Sequence, residues 1–222
     1  VVSDSQESPG TSDTTRQEAV REFKRQLIRD AAKRIFAEKG IAGASVREIA
    51  KAAGYTTGAI YTYFTTREDL YADVLRDSLG ALHDEVAAAA AAATSERAAA
   101  ALRGLWTFYD SHPADFDLGF YLYGGARPVG LTPELNRELN TLLDRVVLLI
   151  AEHMVAEGLA APQDAHHLAV TYATSVFGLL LMTKTGRLRS LNEDAPGVLD
   201  TYLTTLNQGA TGPAERNQES SS

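Results

Sequence analysis

Two short apolar segments joined at a single glycine constrain this chain more than any other feature. The first reads ASVREIAKAAG, residues 44–54. Ser45 is a favoured N-cap, and Glu48 three residues on completes a reciprocal capping box, in which each side chain satisfies an amide that a helix start leaves free. Val46, Ile49, Ala50 and Ala53 form its apolar side, and Gly54, tolerant of positive φ, stops the helix after little more than two turns. The second segment reads YTTGAIYTYF, residues 55–64. Its Thr, Ile, Tyr and Phe favour a strand when taken alone. Helical patterns lie on both sides, however, and Tyr55, Thr56 and Thr57 offer a second cap. Ile60 and Phe64, four residues apart, then share an inward face that leaves Tyr61 and Thr62 pointing out. Two short helices across a tight glycine turn make a helix-turn-helix.

The flanking sequence agrees. Upstream, Val20, Phe23, Leu27, Ile28, Ala31, Ala32, Ile35 and Phe36 recur at helical steps and predict one apolar face, ended by Gly40, with Lys24, Arg25, Arg29 and Lys33 off that face in solvent. Downstream, Thr65 with Glu68 or Thr66 with Asp69 caps a long helix that continues into the alanine run 87–93. Charge divides the chain in the same place: residues 16–69 carry +4 and the remainder −12, within a total of −8. A basic module joined to an acidic body is the expected organisation. The polar ends, 1–15 and 209–222, are expected to be disordered tails. The predicted domains are thus a helix-turn-helix module over 16–69 and a helical body over 70–208.

The chemistry of the second short helix suits the DNA major groove. Gly58 and Ala59 keep its first turn slim, so that the backbone can approach the bases. Thr56 and Thr57 offer hydroxyls to phosphates, the helix start adds free amides, and Tyr61 and Tyr63 extend phenol donors. Arg47 is the long side chain placed to reach a base edge, and Arg67 can pair with a phosphate.

At these residues the chain resembles the TetR family of bacterial one-component transcriptional regulators. The likeness runs from Arg25 to about Leu75, through RQLIRDAAKRIFAEKG, ASVREIAKAAG, YTTGAIYTYF and TTREDL. It implies DNA contacts from Ser45, Arg47, Tyr55, Thr56, Thr57, Gly58, Ala59, Tyr61, Thr62, Tyr63 and Arg67. The chain departs from the family pattern at Arg67, usually lysine, and at Thr62, often aromatic. The resemblance also implies an all-α fold of about nine helices: a three-helix DNA-binding domain, then a C-terminal ligand-binding and dimerisation domain. Its partners would be double-stranded operator DNA, a small-molecule effector and a second copy of the chain, acting as a dimeric repressor in the cytoplasm.

In the body, breaks are expected near Thr94, His112-Pro113, GGARPVG, 158–162 and RSLNEDAPG. Trp106, Tyr109, Phe120, Tyr121, Tyr123, Met154, Tyr172 and Phe177 are the candidate lining of an effector pocket, although helical spacing makes several of them ordinary core. Asp115 and Asp117 read as solvated helix-end carboxylates, or else as groups that favour a cationic ligand. The uncharged stretch 168–183 is too short to be a confident membrane span. It is expected to be a buried or interface helix, with Leu168, Val176, Leu179 and Leu180 at the dimer contact. No membrane partner is expected.

Other functions find little support. The chain has no cysteine, which excludes disulfides and thiolate chemistry. His166 and His167 point about 100° apart on a helix and make a poor metal pair. No G-x-S-x-G, P-loop, G-x-G-x-x-G or H-E-x-x-H is present. Neither catalytic residues nor a cofactor are expected. The alternative to a regulator is a helical adaptor whose basic end binds an acidic partner.

Overall fold

The structure, a computed structural model, describes residues 10–120 and 131–209. Among them lie ten helices and no strand: α1 (Gly10–Gly43), α2 (Val46–Ala53), α3 (Thr57–Ile60), α4 (Arg67–Ala92), α5 (Arg97–Ser111), α6 (Pro113–Gly119), α7 (Pro133–Ala156), α8 (Pro162–Lys184), α9 (Arg187–Ser190) and α10 (Ala195–Gly209). The chain divides into two compact units. One comprises the described parts of Val1–Val74 and Asp117–Thr132, the other Leu75–Phe116 with the described part of Pro133–Ser222. The division falls inside α4, a few residues beyond the boundary expected at 69/70.

The first unit is built on α1, α2, α3 and the start of α4. Ile28, Ala31, Ala32 and Phe36 of α1 are buried with Ile49 and Ala50 of α2, Ile60 of α3 and Leu70 of α4. The Phe36 and Tyr71 rings meet edge to face with centroids 5.0 Å apart, and the Tyr71 hydroxyl donates to the Leu118 carbonyl at 2.9 Å. Gly40, with φ 66°, breaks the helical path of α1 where its sequence predicts a stop. The other end of α1 differs from expectation. The helix begins at Gly10, inside the segment read as a tail; once nucleated, a helix adds residues at little cost even where propensity is poor. Val20 and Phe23 are exposed at 48% and 65%, and Leu27 is also open to solvent, because the first turns run past the packed part of the unit. Lys24 is exposed as expected, but Arg25 and Arg29 are engaged with a buried carboxylate described below.

In the second unit α8 is central, packing against α5, α7, α9 and α10. Leu102, Leu105, Ile150, Met154, Ala169, Val176 and Leu199 are almost fully buried. Two details fix α5. Gly104 lies so close to α4 that a Cβ there would be 2.9 Å from the Ala89 Cβ and 3.2 Å from the Val86 Cα. The N-terminus of α5 has no local side-chain cap, since Glu96 precedes it in the left-handed region at φ 57°. Its first amides are satisfied by Glu157, beyond the end of α7, whose carboxylate accepts from the Arg97 and Ala98 N–H groups at 2.5 and 3.1 Å. A carboxylate there also complements the positive end of the helix dipole.

Several predicted breaks match: Pro113 opens α6, Pro162 opens α8, and residues 93–96 separate α4 from α5. The GGARPVG break lies outside the described residues. Helix α8 is the one described helix long and apolar enough, by length and composition, to cross a membrane.

Candidate nucleic-acid interface

The sequence-predicted capping box forms. The Ser45 Oγ accepts from the Glu48 N–H at 3.2 Å, and a Glu48 carboxylate oxygen accepts from the Ser45 N–H at 3.2 Å and from its hydroxyl at 2.8 Å. Lys39 reaches over from α1 to the other oxygen of Glu48. Held by Lys39 and Ser45, the Glu48 carboxyl is depressed to a pKa of about 2, while Glu48 raises the pKa of the Lys39 ammonium. Gly54 then takes φ 75° and closes α2, its N–H reaching the Ala50 and Lys51 carbonyls.

The second segment is helical, but for only one turn. Thr56 caps α3 by accepting from the Ala59 N–H at 3.2 Å. Beyond Ile60 the chain winds on through turns, with Tyr63 and Phe64 N–H groups both donating to the Ile60 carbonyl, at 2.9 and 3.1 Å. The regular helix expected through Phe64 ends early because β-branched and aromatic residues gain little from the helical state. Thr62 contributes to this by donating its hydroxyl to the Ala59 carbonyl at 2.7 Å.

Most of the predicted contact residues share an accessible surface. Ser45, Arg47, Thr56, Gly58, Tyr61 and Thr62 are exposed; Tyr55, Thr57, Ala59, Tyr63 and Arg67 are half-buried; Ile60 and Phe64 face inward. A Cβ at Gly58 would meet nothing within 4 Å, and its φ is not positive. The fold therefore does not need glycine at 58, unlike at Gly54. A bare backbone there suits close approach by something outside the chain.

Arg67 is differently engaged from a free phosphate clamp. Its Nη1 donates to the Ala44 carbonyl at 3.2 Å and its Nη2 lies 3.3 Å from Glu68, so it ties the start of α4 to the residue before the Ser45 cap. Sequence reasoning also missed the group that holds this surface in place. Asp73, 4% exposed, accepts from Arg25 at 2.5 and 3.1 Å and from Arg29 at 3.2 Å. The Arg25 guanidinium in turn lies 5.2 Å from the centroid of the Phe64 ring. A lone acid in the apolar run LYADVL, three residues from buried Leu70, was the available signal.

The predicted effector-pocket residues divide. Trp106, Tyr109 and Met154 are buried in the second unit. The Tyr109 ring contacts those of Phe116 and Phe177, with centroids at 5.5 and 6.0 Å. Phe177 and Tyr172 are half-buried, as is Phe120, which belongs to the first unit. Tyr121 and Tyr123 lie outside the described residues. Asp115 and Asp117, expected in solvent, are 2% and 5% exposed. Burial and the nearby Asp115 charge push the Tyr109 phenol well above its ordinary pKa. The predicted dimer contact needs correction. Val176, Leu179 and Leu180 are buried within a single chain, because α5, α7 and α10 cover that side of α8. The open side carries Val170, Thr171, Thr174, Gly178 and Leu181, with Leu168 half-buried. His166 pairs with Asp144 at 2.8 Å.

The helix-turn-helix module has counterparts among known proteins. The family model "Bacterial regulatory proteins, tetR family" matches residues 28–74. Over 60 residues the chain is 47% identical to the HTH-type transcriptional regulator AcrR of Shigella flexneri, a stretch covering 27% of each chain. Over 65 residues it is 36% identical to the HTH-type transcriptional repressor AcnR of Corynebacterium diphtheriae, covering 29% of this chain and 34% of that one. The likeness to these curated relatives thus spans about a third of their length or less. Among solved structures, the transcriptional regulator FadR of Bacillus subtilis, in complex with stearoyl-CoA, superposes with a TM-score of 0.65 at 19% identity, over 83% of this chain and 98% of that one. Residues 28–74 thus match the N-terminal helix-turn-helix domain of the TetR family, and the fold over most of the chain is that of the solved Bacillus subtilis regulator.

Proposed function

We propose that the chain is a homodimeric transcriptional repressor that binds a near-palindromic operator through α2, α3 and the turns after α3, and is released by a small-molecule effector held in the second unit. It works in the cytoplasm, as a regulator and not as an enzyme. The observation carrying the reading is the surface around Gly58: a glycine that the fold does not require, flanked by exposed Thr56 and Tyr61, on the basic module. Two-fold pairing through the open side of α8, joined by α10, would set two reading heads about 34 to 36 Å apart, one DNA turn or slightly more. Helix α4 belongs to both units, so it can carry the effector signal, for which a coupling of about 1 to 3 kcal/mol suffices. The aromatic cluster around Tyr109 favours an effector with a large apolar body, and the stearoyl-CoA held by the Bacillus subtilis relative supports a long acyl compound as the first probe. The buried charge of Asp115 favours a cationic group on the effector as the second reading.

The test is a Gly58→Gln variant assayed against duplexes that the full chain enriches from a random pool. Stability should be unchanged or improved, and affinity should fall at least tenfold. Undiminished affinity would refute the reading, as would a wild-type chain that enriches no duplex. Steeply salt-dependent binding without sequence preference would instead favour the adaptor.

A further inference from the structure

The first turns of α1, which the helix-turn-helix does not use, carry a second basic surface. Arg16, Gln17, Val20, Arg21 and Lys24 line one face of α1, and with Tyr63 they enclose a groove of about 320 Å3. Successive positions are one or three residues apart, which keeps all five within an arc of about 140° on the helix and forms a single stripe about 12 Å long. No carboxylate lines the groove. The nearest acids on the same helix are Glu18 and Glu22, and Glu22 is paired with Arg29 at 2.5 Å. Among the described residues Arg16, Arg21 and Lys24 form no ion pair or hydrogen bond, so three cations stand exposed with their donors open. Cations that serve the fold behave differently here: Arg25, Arg29, Lys39 and Arg67 are all paired.

We infer that this stripe, together with Tyr63, grips the sugar-phosphate backbone of the same DNA duplex just outside the groove that α3 reads. The inference rests on the proposed DNA-binding function, and two observations choose DNA over other polyanions. Tyr63 belongs both to this groove and to the candidate reading surface, so the two are continuous. The stripe's length matches about three phosphates of one strand at 3.4 Å of axis each. Val20, 48% exposed between Arg16 and Lys24, supplies an apolar contact for a deoxyribose face. The early turns of α1 thus add affinity without reading sequence, since phosphate contacts position a protein on DNA and base contacts specify.

The test compares the full wild-type chain with a triple and a double variant, on a duplex that the wild type has enriched from a random pool. In the first variant, Arg16→Gln, Arg21→Gln and Lys24→Gln remove the charges. In the second, Arg16→Lys and Arg21→Lys keep them, with Lys24 unchanged. These sites are exposed on a helix, and circular dichroism verifies that helicity is kept. For the glutamine variant the slope of log affinity against log salt should fall by about 0.9 for each lost phosphate contact per subunit. The outermost positions of its hydroxyl-radical footprint should become cleavable, while protection inside the major groove persists. The lysine variant should keep the wild-type slope. An unchanged slope or footprint in the glutamine variant overturns the inference and leaves the repressor reading standing. So does a lysine variant that loses as much as the glutamine one. A wild-type chain that enriches no duplex sinks the repressor reading itself, and this inference with it.

Discussion

Asp73 offers the sharpest test of how the reading surface is held. Its carboxylate is 5% exposed and accepts from two guanidiniums, Arg25 at 38% side-chain exposure and Arg29 at 13%. Removing one member of a buried ion pair costs about 3 to 5 kcal/mol, mostly because the charges left behind have lost their counter-ion. Two features reduce that here. Arg25 is partly hydrated, which screens its interaction, and Arg29 retains Glu22 at 2.5 Å as a second partner. For Asp73→Leu the expected loss is therefore about 2 to 3 kcal/mol, just below the buried-pair range. Asp73→Asn keeps the shape and one acceptor but no charge, and should lose about 1 to 2 kcal/mol. Urea unfolding followed by amide exchange in residues 28–36 reads this unit directly. A double-mutant cycle of Asp73→Leu with Arg25→Met should give a coupling of about 1 to 2 kcal/mol, since the apolar pair no longer strands a charge. DNA affinity of Asp73→Asn should fall as well, because Arg25 would lose the partner that holds it at 5.2 Å from the Phe64 ring. A loss below about 0.5 kcal/mol for Asp73→Asn, the range of ordinary surface substitutions, would show that the cluster is not what fixes α1 to α4.

Three further outcomes follow from the same geometry. The Glu48 carboxyl, whose pKa is lowered from 4.5 to about 2, stabilises the fold above pH 4.5 and loses that contribution as pH falls towards 2; an NMR titration with a midpoint near 4.5 would remove the cap from the account. Gly104→Ala gains about 1 kcal/mol of helix propensity but meets the Ala89 Cβ at 2.9 Å and α4 backbone at 3.2 Å. Because backbone cannot yield cheaply, net destabilisation of about 1 to 2 kcal/mol is expected in thermal unfolding, and a raised Tm would contradict it. Glu157→Gln keeps an acceptor for only one of the Arg97 and Ala98 amides and loses the charge at the start of α5, and should cost about 0.5 to 1 kcal/mol, whereas Glu157→Ala should cost about 1 to 2, measured by urea unfolding.

How legible each part was depends on the distance between the interacting residues. The α2 capping box was legible because Ser45 and Glu48 are three residues apart, and the stops at Gly40 and Gly54 because a positive φ is a property of one residue. Arg25 and Arg29 read as solvent-facing in the sequence because their partner lies 48 and 44 positions away. Periodicity groups Val20 and Phe23 with Ile28 in one apolar face, but both are exposed while Ile28 is buried, since spacing carries no information on where the covering helices end. Helix α8 failed for a related reason. It is uncharged on both sides over 168–183, so spacing could not say which leucines meet their own chain and which remain open. At the reading surface the conflict between strand-like composition and helical surroundings was itself informative: the chain settles it with a one-turn helix followed by turns, and leaves Tyr61 in solvent.

The Glu157 cap also has a consequence in time. Ribosomes make α5 before α7, and the carboxylate that satisfies the Arg97 amide lies 60 residues downstream. At synthesis rates of about 5 to 20 residues per second, α5 waits roughly 3 to 12 s for its cap. During that interval a helix of 15 residues, near the length at which isolated helices are marginal, has bare amides at its start. The expected result is that α5 matures late, in step with the arrival of α7. Limited proteolysis of ribosome-bound chains should find the start of α5 cleavable when synthesis stops before 157 and protected once α7 and Glu157 have cleared the exit tunnel. Equal protection in both would mean that α5 forms without waiting for its distant cap.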